Sequence, residues 1–488
     1  MTASQTRNTG TKLWWQEPFR MFQTNLREVD AGLDVEKVLD DLEEFGADTW
    51  LLSVGGILSN YPTDLDFQTR NPYLSDRPSG DLVGDAVQAA ARRGIRVMGR
   101  MDFSKIDDRR SEAHPEWCFV GPGGARQKYT GLTSVCPSGD YYQVKLFEVL
   151  DEVLDRYPLD GFFCNWMSFN EVDYSRAYHG VCHCVACHER YDGVLPADRD
   201  AAGYADWQRF AKGVLAELTG RIRDHLASRR PEAPLVLGDQ ADIVFHEANN
   251  AVGRRLWHHR TSESVSAAKT YRPAVPVLTN AVGFVDMPYR LASEDPLHFA
   301  QYLIQAIARG ANPSTYVMGT AKYECLEIAS ELTRFHRDHQ EVYRELVPAA
   351  ETLLVRPEGE RAEFEGLYLA LLQGHVPFDV LPLDRLGEVD LARYRTVVLP
   401  DLGPIDLGDF AGRIIATGRT QPAQLPVQRL AAYETEATVQ GLHLEGGIPV
   451  VGAFQVVATD EVGGQAVLGR QLTRPTPWLT ERHGYDPT

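Results

Sequence analysis

Nowhere does the chain hold 18 consecutive apolar residues, which excludes a membrane-spanning helix of ordinary length. Its opening, MTASQTRNTGTKLWWQEPFR, lacks the apolar core of a signal peptide, so a cytoplasmic protein is expected. Positive charge is scarce: 49 Lys and Arg stand against 68 Asp and Glu, a formal charge of -19, and no basic block offsets it. DNA and RNA are therefore not expected as partners. Also missing are a Gly-rich phosphate loop and the histidine clusters of a metal-dependent hydrolase, which argues against nucleotide binding and catalytic-metal chemistry. Cysteine is sparse, and seven is the wrong number for a closed disulfide framework.

What cysteine there is, however, is concentrated. Cys182-x-Cys184-x-x-Cys187 puts three thiols within six residues, too close to pair comfortably with one another but well spaced to converge on one tetrahedral metal ion. Cys136, in the turn Cys136-Pro137-Ser138, is the candidate fourth ligand. The alternative is a set of reduced surface thiols beside His183 and His188.

The order of the chain gives the fold. Short apolar runs alternate with amphipathic helices: runs at 20–25, 49–54, 95–102, 159–164, 235–238, 243–247, 275–280 and 314–318, helices at 34–45, 81–93, 140–156, 204–229 and 323–346. Such βα alternation over eight strands predicts a (β/α)8 TIM barrel over residues 19–347, after a loose lead-in of residues 1–18. One link is too short, since the fifth and sixth strands are joined by about four residues where a parallel crossover takes a dozen. Either a helix is missing or one strand is misread. The pattern then restarts at 350–418 as a smaller doubly wound α/β domain, and 419–488 reads as a short β-rich tail.

Barrel sites lie at the C-terminal ends of the strands. The residues there are Glu28, Asp102, Asn165 with Trp166, Glu247 with Asn249, and Asn280 with Asp286, followed in the loop after strand four by Glu171 and Tyr174. Acids and amides bind hydroxyls, rings cover the apolar face of a sugar, and two carboxyls perform acid and base work. Glu247 ends an apolar run, where burial raises a carboxyl pKa and suits it to donate a proton; Asp102 is the second carboxylate, with Glu28 and Glu171 in reserve. Each has a structural alternative: Glu28 paired with Arg27, Asp102 capping a turn or paired with Lys105, Glu171 a solvated loop acid.

With these residues in view, the chain resembles the β-galactosidase-like glycoside hydrolases, in particular the group described as hypothetical glycosyl hydrolase 6. The resemblance rests on Asn25-Leu-Arg-Glu28-Val-Asp30, Arg70-Asn-Pro-Tyr73, Asp102-Phe-Ser-Lys105, His114-Pro-Glu-Trp117, the cysteine segment from Tyr178, Glu247-Ala-Asn249, Phe284-Val-Asp286-Met-Pro-Tyr-Arg290 and Tyr316-Val-Met-Gly-Thr320. A more distant likeness is to glycoside hydrolase family 42. It implies Cys136, Cys182, Cys184 and Cys187 as ligands of a structural Zn2+, an amidotransferase-like second domain, and a homo-oligomer, specifically a trimer. Family 42 carries glutamates at the ends of strands four and seven, where this chain has Asn165 and Asn280. The expected function is hydrolysis of a glycosidic bond in a small glycoside or oligosaccharide. The alternatives are a barrel that binds carbohydrate without cleaving it, or a lyase or isomerase acting on a polyhydroxylated acid.

Overall fold

All eight apolar runs form strands, and the strands close into one parallel barrel. The structure, a computed structural model, describes residues 12–165, 167–237, 241–359 and 361–424, with the backbone of short strands between 428 and 472. The barrel strands are β1 (Met21–Asn25), β2 (Thr49–Gly56), β3 (Arg96–Asp102), β4 (Gly161–Asn165), β5 (Leu235–Leu237), β6 (Ile243–Ala248), β7 (Val277–Val282) and β8 (Asn312–Met318). The helices between them follow local rules. In Val35–Phe45 the Asp34 side chain accepts from the Lys37 amide, Val35, Val38, Leu39, Leu42 and Phe45 are buried, and Gly46 at φ +91° ends the helix. Such a cap stabilises a helix by about 0.5–2 kcal/mol, and a left-handed turn favours glycine.

Because side chains alternate along a strand, every second residue faces the barrel interior. Met21, Leu51, Met98, Phe163, Val236, Ile243 and Leu278 pack there as one apolar cluster with Phe19. Two residues further along β1, β3 and β7 the same faces turn polar, at Gln23, Arg100 and Asn280, and further again come Asn25 and Asp102. The interior is thus closed by hydrocarbon at one end and lined with polar groups at the other. No catalytic argument is needed to see which end holds a site.

The short link between β5 and β6 is genuine. Val236 pairs with Ile243 and Leu237 with Val244, both parallel, so a helix is missing and both strands stand. Asp242 makes this feasible by bonding Leu235 on both backbone groups: its amide donates to the Leu235 carbonyl at 3.0 Å and its carboxylate accepts from the Leu235 amide at 3.0 Å.

Three expectations need correction. The lead-in is not loose over its described part: residues 14–16 form a short 3-10 turn, and Trp14 meets Phe19 edge-on at 5.4 Å beside the interior apolar cluster. The seventh strand runs to Val282 rather than stopping at Asn280, because Ala281 and Val282 pair on with Thr315 and Tyr316. The closing helix breaks at His339 into Leu326–Asp338 and Gln340–Tyr343, which lets Tyr343 stack on buried His336 at 4.7 Å.

A second unit comprises Ser266–Arg272 and the chain from Pro348. Its strands β9 (Thr352–Arg356), β10 (Phe378–Pro382), β11 (Thr396–Pro400) and β12 (Arg413–Thr417) form a parallel sheet in the order β10-β9-β11-β12. In the tail, Gly441–Leu444 pairs antiparallel with Ile448–Val451 and with Arg470–Leu472. Much of the expected β-rich tail, residues 452–456 among it, lies outside those described.

Candidate active site

Two of the expected carboxylates lie at the polar end of the barrel. Asp102 ends β3 and Glu247 lies at the end of β6; round the closed ring β3 and β6 are separated by three steps, through β4 and β5. Asp102 is buried and held on both oxygens: the Ser104 amide and hydroxyl donate to Oδ1 at 3.0 and 2.6 Å, the Asn165 amide donates to Oδ2 at 2.7 Å, and Arg100 approaches Oδ2 at 3.4 Å. Register explains the Asn165 contact, since Asp102 and Asn165 are direct partners across β3 and β4.

Glu247 is treated differently. Burial pushes its pKa up, against the opposing effects of a hydrogen bond from Asn249 and the charges of Arg100, Arg254 and Arg290. Asn249 donates to Oε1 at 2.7 Å, while Oε2 has no hydrogen-bond partner among the described residues. A protonated Glu247 thus carries its proton on Oε2, the oxygen free to donate it. Asn249 is itself fixed, because Arg254 forks onto its carbonyl oxygen through both terminal nitrogens at 3.1 Å.

The remaining candidates divide. Tyr174 is at the mouth, with Lys105 over its ring at 5.4 Å and Arg290 at 5.6 Å. Asp286 staples two loops, accepting from the Val252 amide at 2.8 Å and from the Met287 amide at 2.7 Å. Asn280 is 1% exposed and sits within the barrel: it donates to Gln23 at 2.7 Å and accepts from Ser314 at 2.7 Å, so it builds the floor of the site. Glu171 has another task, accepting from Tyr204 at 2.9 Å and from the Trp207 ring nitrogen at 2.6 Å, which ties the loop after β4 to the helix Tyr204–Arg229. Glu28 is exposed in a 3-10 turn, its carboxylate without a polar partner among the described residues; Arg27 pairs with Asp30 instead. Trp166 lies outside the described residues.

Several mouth residues escape a reading based on strand ends. Arg100 lies two residues before Asp102 on the same inward face, so strand parity alone would have found it. Tyr316, whose hydroxyl accepts from Asn25 at 2.9 Å, sits inside β8 and is legible the same way. Arg254 and Arg290 come from loops; Arg290 closes the Phe284–Arg290 motif, whereas nothing local in the sequence announces Arg254.

Beside the mouth, the four expected cysteines form a knot. All are buried, and the sulfurs of Cys136, Cys182, Cys184 and Cys187 lie within 4.8 Å of one another. Four thiolates about 2.3 Å from one tetrahedral ion stand about 3.8 Å apart, so the set fits such an ion after a slight contraction. Burial pushes the thiols of Cys136 and Cys182 up, and hydrogen bonds from the other three sulfurs hold Cys184 down. A divalent cation held there would supply the charge that lets the others ionise, and with four protein ligands it would have no open position and would act as a fastener. The knot packs with Phe169, Val181 and Trp207, and it reaches the acids through the chain: Val135, next to Cys136, donates to the Ser104 carbonyl at 2.9 Å, and Ser104 holds Asp102.

The family model described as hypothetical glycosyl hydrolase 6 matches residues 34–166, from the first helix to just past β4. A curated relative, β-galactosidase BglY of Alicyclobacillus acidocaldarius, is 22% identical over 209 residues, which are 42% of this chain and 28% of that protein; the match thus spans less than a third of the relative's length. Among solved structures, α-L-fucosidase isoenzyme 2 from Paenibacillus thiaminolyticus aligns at TM-score 0.71 and 17% identity, over 93% of this chain and 74% of its own. A cold-adapted β-galactosidase from Rahnella sp. R3 aligns at TM-score 0.71 and 13% identity, over 94% and 84%. The chain therefore resembles the hypothetical glycosyl hydrolase 6 group through the first half of its barrel and shares, over nearly its whole length, the fold of β-galactosidase and fucosidase barrels.

Proposed function

We propose that the protein is a glycoside hydrolase acting on a small glycoside or oligosaccharide, with Glu247 as proton donor and Asp102 as the second carboxylate. The observation that carries this reading is the unlike treatment of two acids at one barrel mouth. One is half-buried with its pKa raised and a free oxygen; the other is clamped on both oxygens by Ser104, Asn165 and Arg100. A carboxyl kept protonated by its surroundings, opposite a second carboxylate held by hydrogen bonds, is how glycosidases separate acid from base or nucleophile. The test is turnover on a panel of aryl glycosides of both anomers and natural disaccharides. If Glu247→Gln and Asp102→Asn both retain wild-type rates, the assignment fails.

The ion in the cysteine knot is, on this reading, zinc, which thiolates and tetrahedral geometry favour. Seven free buried thiols support a reducing, cytoplasmic setting. A trimer is the assembly to look for by light scattering. Asn165 and Asn280, amides at or near strand ends, favour a second reading: a barrel that binds carbohydrate without cleaving it. Sugar-dependent thermal shifts with no product formed would select it.

A further inference from the structure

The mouth gathers cations as well as acids, with Asp173 acting on Lys105 and Asp286 on Arg254. Arg100, Lys105, Arg254 and Arg290 gather about Asp102 and Glu247, in a protein whose net charge is -19. Arg254 is absorbed by Asn249. Arg290 is not so well matched: it donates from Nε to the Met287 carbonyl at 2.9 Å, has one terminal nitrogen 3.9 Å from the Met318 sulfur, and pairs with no carboxylate among the described residues. Arg100 meets only Asp102, at 3.4 Å, and its Nε is buried without a hydrogen-bond partner. Burial pulls the Lys105 pKa down, and the charges of Arg100 and Arg290 act in the same direction, opposed by Asp102 and Asp173. Lys105 and Arg290 both lie over the Tyr174 ring, a wall beside two cations.

A half-buried guanidinium without an anion, such as that of Arg290, is costly, and a neutral sugar, whose hydroxyls amides satisfy, gives no reason to hold it there. We infer that the site takes a saccharide bearing an anionic substituent, a uronic acid carboxylate or a sulfate or phosphate ester, whose charge is received by Arg290 together with Lys105 and Arg100. The planar fork of arginine matches any of these oxyanions. The inference rests on the glycosidase reading for the reaction but not for the binding. An anion bound here also offsets the arginine charges on Glu247, so the donor keeps its proton to higher pH with an anionic substrate than with a neutral one. The groups acting on Glu247 are Arg100, Arg254 and Arg290, and Tyr316 lies in the same set.

The test compares the full chain on matched p-nitrophenyl galactosides, galacturonides, glucuronides and 6-sulfogalactosides of both anomers, with thermal shifts by free galactose, galacturonate, glucuronate and galactose 6-sulfate at low and high salt. The expected result is at least about tenfold higher kcat/KM for one anionic class, a salt-sensitive shift with that sugar acid or sulfate, and an alkaline limb of kcat displaced upward. The class preferred separates carboxylate from sulfate. Arg290→Gln should collapse the anionic-to-neutral ratio, and Arg290→Lys should restore part of it. Equal turnover of charged and neutral sugars, or a ratio unchanged in Arg290→Gln, overturns the inference while leaving the glycosidase intact. If nothing is hydrolysed, the glycosidase reading fails and the shifts decide alone: stabilisation by the acids or sulfate but not by galactose upholds anion recognition, and equal or absent shifts refute it.

Discussion

Glu247→Gln should move activity and stability in opposite directions. The substitution keeps shape and the Oε1 acceptor for Asn249 but removes the proton on Oε2, the one oxygen left free to donate. General acid catalysis by one side chain contributes about 10²–10⁴-fold, or about 2.7–5.4 kcal/mol at about 1.36 kcal/mol per factor of ten. The loss should approach the upper end for glycosides with poor leaving groups and shrink for dinitrophenyl glycosides, whose departure needs no proton. For stability the sign is the reverse. Burial raises the folded-state pKa of Glu247 above its ordinary 4.5, so the contribution of its protonated form is full below that value and is lost as pH rises through the folded pKa. Glutamine never ionises and escapes that loss. Tm of Glu247→Gln relative to the wild type should therefore climb from acid to neutral pH. The assays are kcat/KM across a leaving-group series and thermal melts over a pH series. A variant with wild-type rates on poor leaving groups, or with a Tm difference independent of pH, refutes the reasoning.

Other outcomes follow from the same geometry. Asp102→Asn keeps the Ser104 clamp but removes the charge opposite Arg100, and should lower kcat by about 10²-fold or more with a folded protein shown by an unchanged circular dichroism spectrum. Metal analysis should find one zinc per chain; Cys184→Ser, or a strong chelator, should lower Tm by about 5 °C or more and reduce activity, because the knot supports Ser104. Glu171→Gln weakens a charge-assisted bond to Trp207 and should cost about 1.5–3 kcal/mol, read as a fall in Tm with the pH profile unmoved. Asp34→Ala removes a helix cap and should cost about 0.5–2 kcal/mol in chemical denaturation.

The alternation of short apolar runs with helices of 3.6-residue period pointed to the barrel, and glycines such as Gly46 and Gly94 at the helix ends carry their own instructions, because each is local physics. The cysteine knot was legible for the same reason in three of its members, which lie within six residues. Cys136, by contrast, comes from 46 or more positions earlier, and only folding could show its sulfur 3.4 Å from that of Cys187. Strand-end position picked out Asp102 and Glu247 but also Glu28 and Glu171, since sequence gives a residue's place on a strand or loop and not what its carboxylate meets. Tertiary structure decided that Trp207 and Tyr204 claim Glu171, that Asn280 lies in the floor, and that Arg290, from the loop after β7, joins Arg254, from the loop after β6, in acting on Glu247. Electrostatics at the mouth is a sum over elements far apart in the chain, so no local pattern encodes it.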